Sequence, residues 1–362
     1  MIPTNKKIAV LHPYLNNKWW AALMMIYLSN FLSNKKNDLI LYTFSYNKKV
    51  FPLEETNFLI KYYNTFKVLS IFKIAYNIRN SDYIIIWNSP MHFVWVISKI
   101  LFWSKAKLIW WNHHYPWYYS SNANVYIKLK RLLETKCIKK IDLLISNSKY
   151  LQQSIKSIYK RDSEILYPVL DDKFLDYNIK DKSIVFTPPT IFIYGRWVKG
   201  KNLKLIFQTY EVLKDKIPNL VLKIWWEWDL LTKYKNKSNI EGNIFFLWTL
   251  NKEQIIKNLK QSNLFLFSSK VDSFWLVILE SMAFWIPVIS YNVSWAKEII
   301  KNWINWYLVN SEKEFISRSY EVLSNSSLGA KLWIWAVKTA NKFWVHNFEK
   351  QLSNLFNSIS VK

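Results

Sequence analysis

The sequence predicts an α/β protein made of two doubly wound domains in tandem. Three observations carry this. Short apolar runs alternate with helical patterns along most of the 362 residues, as in parallel sheets covered by helices. The alternation breaks near residue 172 and then restarts. The length suits two domains of ordinary size. The expected division is 1–172, 173–340, and a C-terminal helix, 341–362, that packs back on the first domain.

Taken in order, the first strand is Lys7–His12, with a loop to Trp20 and a helix over Ala21–Ser33. Strands follow at Leu39–Phe44, Tyr83–Trp87, Lys107–Trp111 and Leu143–Ser146, separated by helical patterns such as Phe58–Arg79 and Val125–Lys140. Tyr167–Phe174 and the polar Tyr177–Ser183 form the break. The second set has strands at Thr190–Tyr194, Leu220–Ile224, Ile244–Leu247, Leu264–Phe267 and Val288–Tyr291. Its helices are predicted at Asn202–Lys216, Lys252–Gln261, Leu276–Ala283 and Ala296–Asn302, and Leu328–Phe356 reads as a helical tail.

Composition narrows the class. The single cysteine, Cys137, excludes a disulfide framework and a Cys-rich zinc site and fits a reducing cytoplasm. No apolar run approaches the ~18 residues of a membrane span, and the N-terminus shows no signal-peptide pattern. The net charge of +25 is spread over both halves. An AT-rich coding bias or an anionic partner (membrane surface, nucleic acid or phosphorylated substrate) would each account for it.

Glycine is the anomaly. Only 4 of 362 residues are glycine, the first at Gly195, against 21 tryptophans. Read as glycine, the tryptophans would lift its share to about 7%, the usual level. Chains need glycine where φ is positive or backbones approach closely. The deficit predicts a gene whose glycine codon is written here as tryptophan. The alternative is a true Trp-rich chain with unusual turns.

Two segments carry chemistry. Ile191–Lys204 reads IFIYGRWVKGKNLK: a strand ends at Gly195, then come Arg196 and Lys201, then a helix. Helix N-termini attract phosphate, and an arginine with a lysine there would complete a diphosphate clamp. A solvated basic loop is the plain alternative. Lys270–Ser290 reads KVDSFWLVILESMAFWIPVIS. Asp272 precedes a helix and Glu280 lies about one turn into it. Phe274, Trp275 and Leu276 would present N–H groups at the helix start, and a carboxylate there can accept both hydroxyls of a ribose. Chance is the alternative for two acids so spaced. In the first half, Trp110–Tyr119 reads WWNHHYPWYY after a strand, offering His113 and His114.

With glycine for tryptophan, these segments become YGRGVKGKN, KIWGEGDLL, FFLGTL, DSFGLVILESMAFGIPVIS and VSGAKEIIKNGINGYLV. From about Thr190 to Val309 the chain then resembles the C-terminal domain of retaining GT-B glycosyltransferases of family 4. LHPYLNNKWWAAL similarly resembles the family's glycine-pair loop, with Trp19 and Trp20 for the pair. Ten tryptophans fall where the family has glycine: Trp19, Trp20, Trp226, Trp228, Trp248, Trp275, Trp285, Trp295, Trp303 and Trp306. Asn302-Trp303 and Asn305-Trp306 would become Asn-Gly turns flanking a short strand. Trp110, Trp111, Trp117 and Trp344 sit among aromatics and fit true tryptophans.

The resemblance implies a GT-B architecture, two Rossmann-like domains facing a central cleft, and a cytoplasmic enzyme that moves a sugar from a nucleotide-sugar to a hydroxyl acceptor with retention of configuration. It implies that Arg196 and Lys201 bind the diphosphate, with Lys199 as fallback and Asn202 replacing a glycine. Glu280 binds the ribose. Asp272 stands where the family has Glu, a departure that shortens its reach toward the donor sugar. Gly195, Ser273, Phe274, Trp275 and Leu276 shape the donor site, and Trp19 and Trp20 its opposite wall. His114, or else His113, serves near the donor sugar on the acceptor side. No Asp-x-Asp, zinc spacing or Walker loop occurs. No cofactor or metal is expected, the two cations acting in metal's place.

Family acceptors are often lipid-linked or cell-envelope glycans. Tyr126–Lys140, YIKLKRLLETKCIKK, suits a peripheral amphipathic helix on an anionic membrane, or else a sheet-packing helix with a basic edge. The rivals are a GT-B epimerase or small-glycoside synthase, and a non-catalytic basic RNA- or membrane-binding protein. The charge is not striped as a nucleic-acid groove would be, so no nucleic-acid partner is expected.

Overall fold

The computed structural model describes residues 4–16, 20–52, 56–63, 68–87, 91–113, 134–174, 188–195, 202–225, 243–247, 250–269, 276–293, 296–325 and 328–360. They form two compact units, residues 1–169 with 346–362, and residues 170–345.

The first unit is built on β1 (Lys7–Leu11), β3 (Asp38–Thr43), β5 (Leu59–Tyr62), β6 (Tyr83–Ile86), β7 (Lys107–Asn112), β8 (Leu143–Ser146) and β9 (Glu164–Ile165). They make one seven-stranded sheet in the order β5-β3-β1-β6-β7-β8-β9, and every pairing is parallel. The central strands are apolar along their length because both faces are covered: Ile8 to Leu11 and Ile84 to Ile86 are all buried. The covering helices include α1 (Trp20–Ser33), α2 (Val68–Asn77), α3 (Met91–Leu101) and α4 (Lys149–Tyr159). Ser148 opens α4 by accepting from the N–H of Leu151, which satisfies one of the first-turn donors. A short parallel pair, β2 (Tyr14–Leu15) with β4 (Ser45–Tyr46), lies beyond the ends of β1 and β3.

Four predicted elements are corrected. Phe58–Arg79 is not one helix: Leu59–Tyr62 is an edge strand paired with β3, and the helix begins at Val68. Ile60 is the one buried residue of that strand, too short an alternation to stand out from a helical period. The tail breaks into α10 (Gly329–Ala340) and α11 (Val345–Ser360), with a 3-10 turn at Asn341–Phe343. Phe343 is buried there and its carbonyl accepts from the N–H of Leu170 at 2.8 Å. The helix predicted over Ala296–Asn302 is only α8 (Ala296–Ile299), and the residues between Trp303 and Trp306 are a turn, not a strand. Asn305 accounts for this. Its side chain accepts from the N–H of Lys301 at 2.7 Å and donates to the carbonyl of Ile299 at 2.9 Å.

In the second unit, β10 (Thr190–Ile193), β11 (Val221–Trp225) and β12 (Asn243–Leu247) form one parallel sheet, and β13 (Phe265–Phe267), β14 (Val288–Tyr291) and β15 (Tyr307–Val309) another. A parallel bridge between Ile191 and Leu264 joins them, with the N–H of Phe192 donating to the carbonyl of Leu264 at 3.1 Å. The spatial order is therefore β12-β11-β10-β13-β14-β15, the doubly wound arrangement that reverses direction between its first and fourth strands. The helices are α5 (Leu203–Lys214), α6 (Lys252–Lys260), α7 (Leu276–Ala283), α8, α9 (Glu312–Ser324) and α10, the last packed on α7. Asn251 makes a reciprocal capping box with Gln254 at the start of α6.

Eight non-glycine residues among those described hold positive φ: Asn5, Lys36, Trp103, Lys160, Asn202, Asn219, Trp285 and Trp303. Asparagine tolerates this region, but a bulky ring there is an outlier. Trp285 shows what the position does. After α7, the N–H of Trp285 donates to the carbonyl of Met282 and that of Ile286 to Ser281, both at 3.1 Å. This is a Schellman ending with Trp285, at φ 62°, in the seat that glycine usually fills.

Candidate functional site

In open α/β sheets, ligands bind beyond the carboxyl ends of the strands where the winding reverses. In the second unit that point lies between β10 and β13. Tyr194 and Gly195 follow β10 directly. Both are buried, and Gly195 holds φ 132°, a region that only glycine enters freely. Across the switch point, Ser268 and Ser269 are buried after β13.

Glu280 reaches this point from the second turn of α7. Its Oε2 accepts a hydrogen bond from the Tyr194 hydroxyl at 2.6 Å, a link across 86 residues of sequence. Desolvation pushes the Glu280 carboxyl up to about 7, while the Tyr194 bond and the positive charge of Lys252 pull it down and Asp171 pushes it up. The Tyr194 hydroxyl is itself driven well above its ordinary range by burial and by the neighbouring carboxylate. It therefore remains a donor at every working pH. Lys252 is ion-paired with Asp171, and Lys173 with Glu253 at 3.0 Å.

Of the residues singled out by sequence, the structure brings Gly195 and Glu280 to one strand end, and Leu276 begins α7. Asn202 stands at φ 48° just before α5, so asparagine adopts here the conformation that the expected glycine would take. Arg196, Lys199, Lys201, Asp272, Ser273, Phe274 and Trp275 lie outside the described residues, as do His114 and Trp19. So do Trp226, Trp228, Trp248 and Trp295, and the part of Tyr126–Lys140 up to residue 133. Trp20 is the first residue of α1. Trp306 is fully buried and is not among the positive-φ residues.

The first unit reverses its winding between β1 and β6. His12 follows β1, Trp87 follows β6 and His113 follows β7, and all three are buried. His113 stacks on Trp87 at 3.5 Å between ring centroids and lies 4.7 Å from Trp111. Burial holds the His12 imidazole down to about 4, so it is neutral at ordinary pH. Sequence reading passed over Tyr194. The signal available was its place immediately before Gly195, at the end of a strand that carries the site.

Two doubly wound domains in tandem are the framework of the GT-B fold, and solved GT-B structures match this chain along nearly its whole length. The structure of Anabaena Alr3699/HepE in complex with UDP and glucose is similar with a TM-score of 0.79 at 16% identity, covering 98% of this chain and 100% of that one. Residues 176–333 match the family Glycosyl transferases group 1. Among curated relatives, an uncharacterized glycosyltransferase, YqgM, of Bacillus subtilis (strain 168) is 26% identical over 155 residues, 42% of each chain. An uncharacterized glycosyltransferase of Haemophilus influenzae is 23% identical over 221 residues, 59% of this chain and 60% of its own. The chain thus spans about two fifths to three fifths of the length of these curated relatives. Among the described residues, no helix is long and apolar enough to cross a membrane.

Proposed function

We propose that this chain is a glycosyltransferase that moves a sugar from a nucleotide-sugar to a hydroxyl acceptor with retention of configuration. The observation that carries the reading is Glu280. A carboxylate set at the switch point of a doubly wound domain, on the helix that follows β13, stands where such folds receive the ribose of a nucleotide. The family match over residues 176–333 and the UDP and glucose held by HepE support the same ligand class.

In this reading Arg196 and Lys201 bind the diphosphate and stabilise it as it leaves, in place of a metal ion. Asp272 and the start of α7 hold the sugar, and His114 or His113 faces it from the acceptor side. Departure of the diphosphate and attack by the acceptor hydroxyl take place on one face of the sugar, so the anomeric configuration is kept. The acceptor is a cell-envelope or lipid-linked glycan, and the enzyme acts at the inner membrane face through Tyr126–Lys140. The native protein carries glycine at the ten tryptophans that fall on the family's glycines. The left-handed backbone at Trp285 and Trp303 supports this at two of them. Trp306, buried with ordinary φ, draws its support from the sequence pattern alone.

A screen of nucleotide-sugars for thermal stabilisation tests the reading. A donor at 100 times its Kd should add about 2.7 kcal/mol. Stabilisation by none of the common nucleotide-sugars, in a chain restored to glycine at the ten positions, would overturn it.

A further inference from the structure

We infer that Tyr194 is a positioning residue for nucleotide binding: its hydroxyl fixes one oxygen of Glu280 and leaves the other for the ribose. The inference rests on the assignment of Glu280 to the ribose. Three observations carry it. The 2.6 Å bond joins the end of β10 to the second turn of α7, so it links β10 to the helix that follows β13 across the switch point. Tyr194 is buried, and its ring stacks on Phe192 at 5.1 Å and meets Phe265 edge-on at 5.5 Å. The ring is thereby held by its own strand, β10, and by the adjacent β13. Oε1 of Glu280 makes no hydrogen bond to the described residues.

A ribose-binding carboxylate must be ionised to accept hydroxyl donors. Burial works against that charge at Glu280. The charged and titratable groups that act on it among the described residues are Tyr194, Lys252 and Asp171. Lys252 favours ionisation and Asp171 opposes it, yet these two are already paired with each other. Tyr194 is the group bonded directly to the carboxylate, and a donated hydrogen bond favours the charged form.

The test titrates UDP, GDP and ADP into the protein restored to glycine at the ten positions, taken as wild type, and into its Tyr194→Phe and Glu280→Gln variants by calorimetry, from pH 5.5 to 8.5. Thermal melts check that each variant folds. For the diphosphate that binds best, wild-type affinity should fall as the pH drops through about 7. Tyr194→Phe should bind about tenfold more weakly at pH 7, and its fall should begin at higher pH, because the lost donor leaves the carboxyl easier to protonate. Recovery of affinity in Tyr194→Phe at pH 8.5 would separate positioning from simple packing. Equal affinity in Tyr194→Phe, or a uniform loss with an unmoved midpoint, overturns the role of Tyr194. Unchanged affinity in Glu280→Gln, or no binding of any of the three by the wild type, overturns the ribose assignment itself.

A second inference rests on backbone geometry alone. We propose that Trp103 is also glycine in the native protein. It lies just past α3 at φ 49°, with its ring 83% exposed. The N–H of Ser104 reaches back to the carbonyl of Ser98 at 3.2 Å. A left-handed residue after a helix end is a glycine position, and no buried contact accounts for an indole there. Peptide mass spectrometry of protein from the source cells decides it. Glycine at 103 is the expected result, and tryptophan there overturns the proposal.

Discussion

Trp103→Gly is expected to stabilise the chain as written, whereas Trp335→Gly should destabilise it. Both rings are exposed, at 83% and 53%, so little buried apolar area is at stake at Trp103. What differs is the backbone. A left-handed φ costs a non-glycine residue roughly 1–2 kcal/mol. Glycine removes that cost but brings about 0.5–1 kcal/mol of extra freedom to the unfolded chain. The net gain at Trp103 is then on the order of 0.5–1 kcal/mol. Trp335 lies inside α10, where glycine is the worse helix former. The change there also loses the contact of the Lys338 ammonium with the ring, 4.9 Å from its centroid. Together these should cost about 1 kcal/mol. Urea unfolding followed by circular dichroism would show midpoints moving in opposite directions. Shifts of the same sign would mean that indole contacts, not backbone dihedrals, govern these positions.

Further outcomes follow from the site. Arg196→Ala or Lys201→Ala should lower donor turnover by about a hundredfold or more, from roughly 2–4 kcal/mol of lost transition-state stabilisation, with the fold retained; wild-type rates would remove them from the mechanism. Glu280→Gln should change how stability depends on pH. The folded carboxyl titrates near 7 and the unfolded one near its ordinary value, so the folded state holds the extra proton between them. Stability therefore falls as pH rises through that window, by at most about 3 kcal/mol. The Gln variant should gain on the wild type at pH 8 and match it near pH 4, and parallel unfolding curves at both pH values would contradict the buried carboxyl. Flotation with anionic vesicles should show binding at low salt that is lost at high salt; no salt-dependent binding would refute the membrane role of Tyr126–Lys140.

Much of this was legible in the sequence because parallel strands buried on both faces read as continuous apolar runs. Leu143–Ser146 and Val288–Tyr291 fall where the pattern puts them, and Glu280 was marked by its spacing from Asp272 and by the family resemblance. The misreadings share a cause. β5 buries one residue of four, the α10–α11 break depends on a carbonyl engaged by Leu170, and α8 stops because of the Asn305 side chain. Each is decided by a partner distant in sequence or by one polar side chain, which periodicity does not register. Tyr194 escaped notice for the same reason. A tyrosine at a strand end has no distinguishing pattern until the fold brings it to a carboxylate 86 residues away.

The first unit is discontinuous, and this bears on how the chain is made. Residues 1–169 share their core with 346–362: Trp111 stacks on Phe348 at 5.8 Å, and Tyr83 meets Phe356 edge-on at 6.2 Å. Leu352, Leu355 and Phe356 are buried. During vectorial synthesis the N-terminal sheet leaves the ribosome well before the helix that covers part of it, with the whole second unit translated in between. At the usual pace of elongation the wait is roughly 10–35 s. For that interval the sheet has an uncovered apolar face, vulnerable to aggregation and suited to a chaperone. Removing α11 alone would leave the second unit's sequence complete and still expose the core of the first, so a change about 180 residues downstream of the first sheet would be felt within it.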